Sequence, residues 1–215
     1  MITTVILDLD GLLVDTEPLH CRAYQEVLRS QGATLKEADY IQHWVRSGKG
    51  IGEWIADHGL ELDSREIRAQ KSRLYLQLVA SSLCPMDGLF GLLERLHAKK
   101  KLALASSSYR DAVDGVLQGL KIAHYFEVIV TGTDVSRVKP APDIFLAAAR
   151  RMGAAASECV VLEDAEKGVL AAYAAGMRCI AVPNEHTRDH DFSNAALVCS
   201  SLNEITIELL ETLNG

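Results

Sequence analysis

The stretch Val5-Ile6-Leu7-Asp8-Leu9-Asp10-Gly11-Leu12-Leu13-Val14-Asp15-Thr16-Glu17 (VILDLDGLLVDTE, residues 5–17) decides how the rest of the chain is read. An apolar run of strand character carries Asp8 and Asp10 into a turn at Gly11 and then meets Asp15 and Glu17. Burying an ionised carboxylate is expensive unless a cation or hydrogen bonds compensate, so two of them beside a core-forming run require a partner. Asp-Gly between apolar runs is also a strong hairpin signal. The stretch further matches part of a calcium loop, with Asp8, Asp10, Gly11 and Glu17 at its third, fifth, sixth and twelfth places. Ile6 in the first ligand position argues against that match.

Outward from this stretch, short apolar runs alternate with helical patterns. TTVILDL (3–9), KLALASSS (101–108), FEVIVTG (126–132), CVVLED (159–164) and RCIAVPN (178–184) read as strands. Segments 109–120, 142–152 and 165–175 fit helices between them. Strands alternating with helices of this length imply an α/β fold with a doubly wound parallel sheet. LVCSS near 197–201 is a candidate edge strand, and LNEITIELLETL a closing helix. Residues from about 17 to 83 break the rhythm: EPLHCRAYQEVLRSQG, GIGEWIADHG and SREIRAQKSRLYLQLVASSL are amphipathic helical patterns, with no strand among them. The expected division is a core of residues 1–15 and 85–215 with a smaller helical domain, 16–84, inserted after the first strand. CPMDG at 84–88 supplies Pro and Gly for the return crossing.

The bulk composition is that of an ordinary globular protein: 215 residues, 48% hydrophobic and 24% charged, with a net charge of -7. No Lys/Arg block exceeds Lys99, Lys100 and Lys101, so nothing suggests a nucleic-acid or anionic-membrane surface. Met1 leads straight into a strand pattern, and no uncharged apolar run approaches the roughly 18 residues of a membrane span. A soluble cytoplasmic protein, a monomer or weak homodimer, is the expectation. The five cysteines, Cys21, Cys84, Cys159, Cys179 and Cys199, are scattered and odd in number, and read as reduced packing residues.

Ligands of an open parallel sheet bind outside the carboxyl ends of its strands. The polar residues at those ends belong together: Asp8 and Asp10; Ser106, Ser107 and Ser108; Lys139 in TDVSRVKPAPD; Glu163 and Asp164. This inventory suits phosphoryl transfer, in which a protein mainly positions groups and neutralises charge. An ionised Asp needs no base to be a nucleophile, but its repulsion from a phosphate must be cancelled. Two unit charges about 4 Å apart cost about 4 kcal/mol at an effective dielectric of about 20. Mg²⁺, which takes oxygen ligands, suits Asp8 and Asp164 with Glu163 nearby. Lys139 can meet the phosphate as a point charge, and Ser106 with the following amides can cradle its oxygens. Asp10 can protonate the leaving oxygen and later take a proton from water. Each set has a plain alternative: a helix cap for the serines, a solvated loop for Lys139, an acidic helix start for Glu163-Asp164. None explains why all four fall at successive strand ends.

DLDGLLVDTE, the strand ending SSS, KPAPDIF and VVLEDAEKG together resemble the four motifs of the haloacid dehalogenase superfamily, over essentially the whole chain. The helical insertion resembles that superfamily's α-helical cap. The resemblance implies a Rossmann-like core with Asp8 as the nucleophile that becomes an aspartyl phosphate and Asp10 as general acid/base. It implies that Ser106, with Ser107 beside it, and Lys139 bind the phosphoryl group. It assigns Mg²⁺ to Asp8, Glu163, Asp164 and the Asp10 backbone carbonyl. Asp10 argues against dehalogenation, because dehalogenase members lack this acid/base partner. The nearest likeness is to the β-phosphoglucomutase and sugar-phosphate phosphatase group, in which Thr16, His20 and Lys71 fall at substrate or cap-closure positions. A mutase also grips a second phosphate, usually with a cap arginine. Here RSGKGIGEW offers Arg46 and Lys49, a departure that weakens the mutase reading. The expected function is therefore a Mg²⁺-dependent phosphatase of a small phosphorylated metabolite, a sugar or polyol phosphate. A sugar phosphomutase is the first alternative, and a non-catalytic binding protein on the same scaffold the second.

Overall fold

The computed structural model describes residues 1–213. β1 (Thr4–Leu7) is buried along its whole length, as a strand covered on both faces by helices must be. β2 (Val14–Asp15) comes next, and then the helical stretch: α1 (Glu17–Ser30), α2 (Glu37–Tyr40), a π-helical turn (Ile41–Arg46), α3 (Ile51–Asp57) and α4 (Ser64–Ser82). The chain returns through β3 (Cys84–Pro85) and continues α5 (Leu89–His97), β4 (Lys101–Ser106), α6 (Arg110–Leu120), β5 (Val128–Thr131) and α7 (Asp143–Met152). It closes with β6 (Cys159–Glu163), α8 (Glu166–Ala174), β7 (Arg178–Ala181), β8 (Leu197–Val198) and α9 (Ile207–Thr212). No described helix is long and apolar enough to cross a membrane.

The main sheet has the order β5-β4-β1-β6-β7-β8, every neighbour parallel. β1 is flanked by β4 on one side and β6 on the other, with Ile6 level with Ala103 and Val161. The winding reverses at β1, so the crevice at its carboxyl end lies at the topological switch point. The hairpin reading of VILDLDGLLVD is overturned: β1 takes only parallel partners, while Val14 and Asp15 pair antiparallel with Pro85 and Cys84. Past Asp10 the chain makes a turn, closed by the Gly11 N–H donating to the Val14 carbonyl at 2.9 Å.

Contacts divide the chain into two compact units: Met1–Asp15 with Cys84–Gly215, and Thr16–Leu83. The core of the first joins Ile6, Ala103 and Val161 of the sheet to Phe145 and Met152 of α7 and Val169 of α8. Full burial of one such large apolar side chain contributes about 1.5–3 kcal/mol. The second unit is held by Leu28, Ile51, Trp54 and Ile67, from α1, α3 and α4. α1 opens with Glu17 and Pro18, charges and geometry that a helix start favours, and buries Leu19, Ala23, Val27 and Leu28 along one face. Four cysteines are buried and unpaired as expected, but Cys84 is exposed. It sits in the short β3 ribbon at the return crossing, which has no core of its own to bury a thiol.

Candidate active site

β1 delivers Asp8 to the middle of the carboxyl edge, and its backbone N–H still donates to Leu162 of β6 at 3.1 Å. The side chain is only 6% exposed. The Lys139 ammonium donates to Asp8 Oδ1 and, at 2.6 Å, to Glu163 Oε1, bridging two strand ends from the loop before α7. The same ammonium lies 4.9 Å from the Phe145 ring centre, so the helix after the loop also holds it. Glu163 is fixed from its other oxygen, which accepts from the amides of Asp164 and Ala165, both at 3.0 Å. The Lys139–Pro140 peptide is cis.

Burial sets the titration of this cluster. Asp8 is pushed up to about 7 by loss of water, an effect that Lys139 opposes and the carboxylates of Glu163 and Asp10 reinforce. Asp164 is raised by burial and by its neighbours Glu163 and Asp8. Burial alone would lower Lys139, but attraction to Asp8 and Glu163 prevails and holds it above the ordinary lysine range. Oxygens of Asp8, Glu163 and Asp164 all lie within 4.8 Å of one another, and all three residues are buried. One ammonium in contact with this group leaves negative charge uncompensated. An all-oxygen pocket of three carboxyl groups facing one ammonium fits a hard divalent cation, whose charge would favour their ionised forms.

Asp10 is held differently. Its Oδ2 accepts from the hydroxyls of Ser106 at 3.0 Å and Ser108 at 2.7 Å, and Ser106 Oγ in turn accepts from the Ser108 amide. Ser107 Oγ is buried and has no hydrogen-bond partner among the described residues. The β4 end therefore splits its serines: two orient the second aspartate, and one hydroxyl is unused. The run of three serines does not by itself distinguish Ser108 from its neighbours; the bond to Asp10 does.

Sequence reasoning missed Asn184 altogether. Its Nδ2 donates to Asp164 Oδ2 at 2.9 Å and to the Gly11 carbonyl at 3.0 Å. The available signal is its place just past β7, where RCIAVPN ends in a polar residue at the same sheet edge as the other four sets.

Among the insertion residues, Thr16 is buried at the start of α1, its carbonyl accepting from the His20 N–H. Lys71 of α4 is buried and hydrogen-bonds His20 Nδ1. An ammonium has only donors, so Nδ1 accepts and the neutral ring carries its proton on Nε2. His20 stacks on Tyr75 at 4.1 Å and 7°, and the Lys71 ammonium lies 4.5 Å from the Tyr75 ring centre and 5.2 Å from that of Tyr24. Lys49 instead pairs with Asp57 at 3.1 Å between exposed side chains, and Arg46 ends the π-helical turn. Trp54 and Tyr75 are buried, as core residues should be.

A doubly wound core with an aspartate, a serine, a lysine and an acidic pair at successive strand ends defines a class of hydrolase. The family profile described as haloacid dehalogenase-like hydrolase matches residues 2–176. The chain belongs to that family and is an enzyme of that class. It is 32% identical over 179 residues to fructose-1-phosphate phosphatase YqaB of Escherichia coli, covering 83% of this chain and 95% of that one. To the phosphorylated carbohydrates phosphatase of Thermotoga maritima it is 35% identical over 184 residues, 82% of each chain. The crystal structure of CbbY from Rhodobacter sphaeroides in complex with phosphate superposes with a TM-score of 0.85 at 28% identity, covering 95% and 96% of the two chains.

Proposed function

We propose that this enzyme is a Mg²⁺-dependent phosphatase that hydrolyses a small sugar or polyol phosphate through an aspartyl phosphate on Asp8. The observation that carries the reading is the buried Asp8 carboxylate, held by Lys139 against Glu163 with Asp164 within reach. Asp8, Glu163, Asp164 and the Asp10 carbonyl would hold the ion, which when bound supplies positive charge that lets a carboxylate approach a phosphate. An Asp8 oxygen attacks phosphorus, the ester P–O bond breaks, and the leaving alkoxide takes a proton from Asp10. Water then attacks the same phosphorus, Asp10 takes its proton, and the bond to Asp8 breaks to free orthophosphate. The Ser106 and Ser108 hydroxyls stabilise Asp10 as the carboxylate needed in that second step. Ser107 offers a hydroxyl to the phosphoryl oxygens, and Lys139 balances the charge that develops on them.

The relatives support the substrate class: two are named for phosphatase action on fructose 1-phosphate or phosphorylated carbohydrates, and the CbbY structure holds phosphate. The same proposal gives the helical unit the role of a cap, with His20 and Lys71 among the side chains that set specificity. The test is orthophosphate release from a panel of sugar, polyol and aryl phosphates with Mg²⁺. Release that vanishes in Asp8→Asn is expected; equal release by Asp8→Asn, or none from any phosphate, would sink the reading.

A further inference from the structure

The Asn184 carboxamide is a strand-end group that the proposed chemistry leaves unassigned, and its hydrogen bonding is fully specified. Its Oδ1 accepts from the His186 amide at 2.8 Å. That contact fixes which end of the amide is nitrogen, because a backbone N–H cannot donate to an NH₂ group. Both N–H bonds of Nδ2 are then spent, one on Asp164 Oδ2 and one on the Gly11 carbonyl. The loop behind is anchored as well: the Asn184 amide donates to Oγ1 of the buried Thr187, and the Asn184 carbonyl accepts from Thr187 and Arg188.

A second observation shows how closely these groups fit. Gly11 has φ +85°, and a Cβ there would sit 2.4 Å from Asp164 Oδ2 and 2.9 Å from Asn184 Nδ2. The turn after the first aspartates, the fourth-loop acid and the β7 loop therefore touch at one point, and Asn184 is what ties them.

We propose that Asn184 is a positioning residue, locking the Asp164 carboxylate and the Gly11 turn in the geometry that a divalent cation requires; this rests on the cation-dependent reading of the site. The choice of an amide has a chemical reason. Lys139 offsets part of the charge of the two carboxylates it touches, whereas a neutral N–H donor orients Asp164 without bringing a competing positive charge. Groups that orient a metal ligand in this way typically account for a 10–100-fold change in metal affinity or activity.

The test is Mn²⁺ binding to the full-length protein, followed by the loss of the free-ion paramagnetic resonance signal, in wild type, Asn184→Ala, Asn184→Ser, Asp164→Asn and Thr187→Val. Serine keeps a short acceptor for the His186 amide but cannot reach Asp164, so it separates positioning from loop folding. Both Asn184 variants should bind Mn²⁺ about 10–100-fold more weakly, and need correspondingly more Mg²⁺ for half-maximal hydrolysis with little change in saturated kcat. Thr187→Val, which loosens the loop but keeps the amide, should bind Mn²⁺ as wild type does. Unchanged Mn²⁺ affinity in folded Asn184→Ser, or an equal loss in Thr187→Val, would overturn the proposal. A wild type that binds no Mn²⁺ would instead overturn the cation reading beneath it.

Discussion

Lys139 and Lys71 are both buried, at 6% and 9% exposure, yet the protein accommodates them in different ways. Lys139 sits between two carboxylates at the junction of three loops, and its charge is answered by opposite charge. Lys71 lies among the rings of Tyr24 and Tyr75 and donates to an imidazole nitrogen, so within its unit its charge meets π faces and a lone pair. The first arrangement is an electrostatic knot in which each group depends on the others. In the second, the partners within the helical unit include two tyrosine rings and an imidazole nitrogen, and the apolar stem packs beside them.

The largest effect expected from this contrast is on turnover. Asp8→Asn removes the nucleophile while keeping shape and a hydrogen-bonding side chain, and should cut phosphate release by on the order of 10⁴-fold or more. Lys139→Met should also abolish measurable turnover, and it should unfold the protein more easily. It strands Asp8 and Glu163 as buried like charges, and breaking a buried pair in this way costs about 3–5 kcal/mol. Urea denaturation at neutral pH would measure the loss. Lys71→Met keeps an apolar stem and offers sulfur to the same rings but loses the bond to His20, which costs about 1 kcal/mol. Equal destabilisation by the two lysine substitutions would break the comparison.

The two units also differ in how far the sequence discloses them. In the core unit β1, β4, β5, β6 and β7 announce themselves as runs rich in Val, Ile, Leu and Ala, because a strand with helices on both faces has little solvent side to interrupt the pattern, whereas the two-residue β2 and β3 carry no such run. Four strand ends can then be read as one site because parallel topology puts carboxyl ends on one edge. Asn184 escapes because a lone Asn after Pro183 looks like any turn; only the fold reveals that Asp164 and Gly11 lie beneath it. In the helical unit α1, α3 and α4 carry clear apolar spacing, while α2 and the π-helical turn do not. Ile41, Trp44 and Val45 are only partly buried there, so no continuous apolar face is present to read. The pairing of His20 with Lys71, 51 residues apart, depends on how α1 and α4 pack and has no local signature.

Two glycines sharpen the comparison. Gly11 and Gly48 both have left-handed backbones, φ +85° and +63°. A Cβ on Gly48 meets nothing within 4 Å, whereas on Gly11 it collides with Asp164 and Asn184. Gly48→Ala should cost about 1 kcal/mol for the backbone alone. Gly11→Ala should cost about 2–3 kcal/mol and also raise the Mg²⁺ requirement, since it displaces Asp164. Melting curves with and without Mg²⁺ would separate the two.

A third charged group marks the lower end of the scale. Asp134 accepts from Arg151 at 2.8 Å and from both the amide and the hydroxyl of Thr131, but its side chain is 21% exposed. Arg151 lowers its carboxyl most; partial burial opposes this, and Thr131 adds to the lowering, from the ordinary 3.8 to about 2. A carboxyl held down in the folded state binds fewer protons there than in the unfolded chain, so its stabilisation is complete above pH 3.8 and fades as pH falls through about 2. Contact with water reduces its value to about 1 kcal/mol. Asp134→Asn should therefore be about 1 kcal/mol less stable than wild type at pH 7, with the gap closing between about pH 4 and pH 2. A gap that persisted unchanged at about pH 2 would mean that Asp134 contributes through shape and neutral hydrogen bonds rather than charge. The distinction between charge-held and packing-held groups drawn from the two lysines would then not extend to the protein's surface.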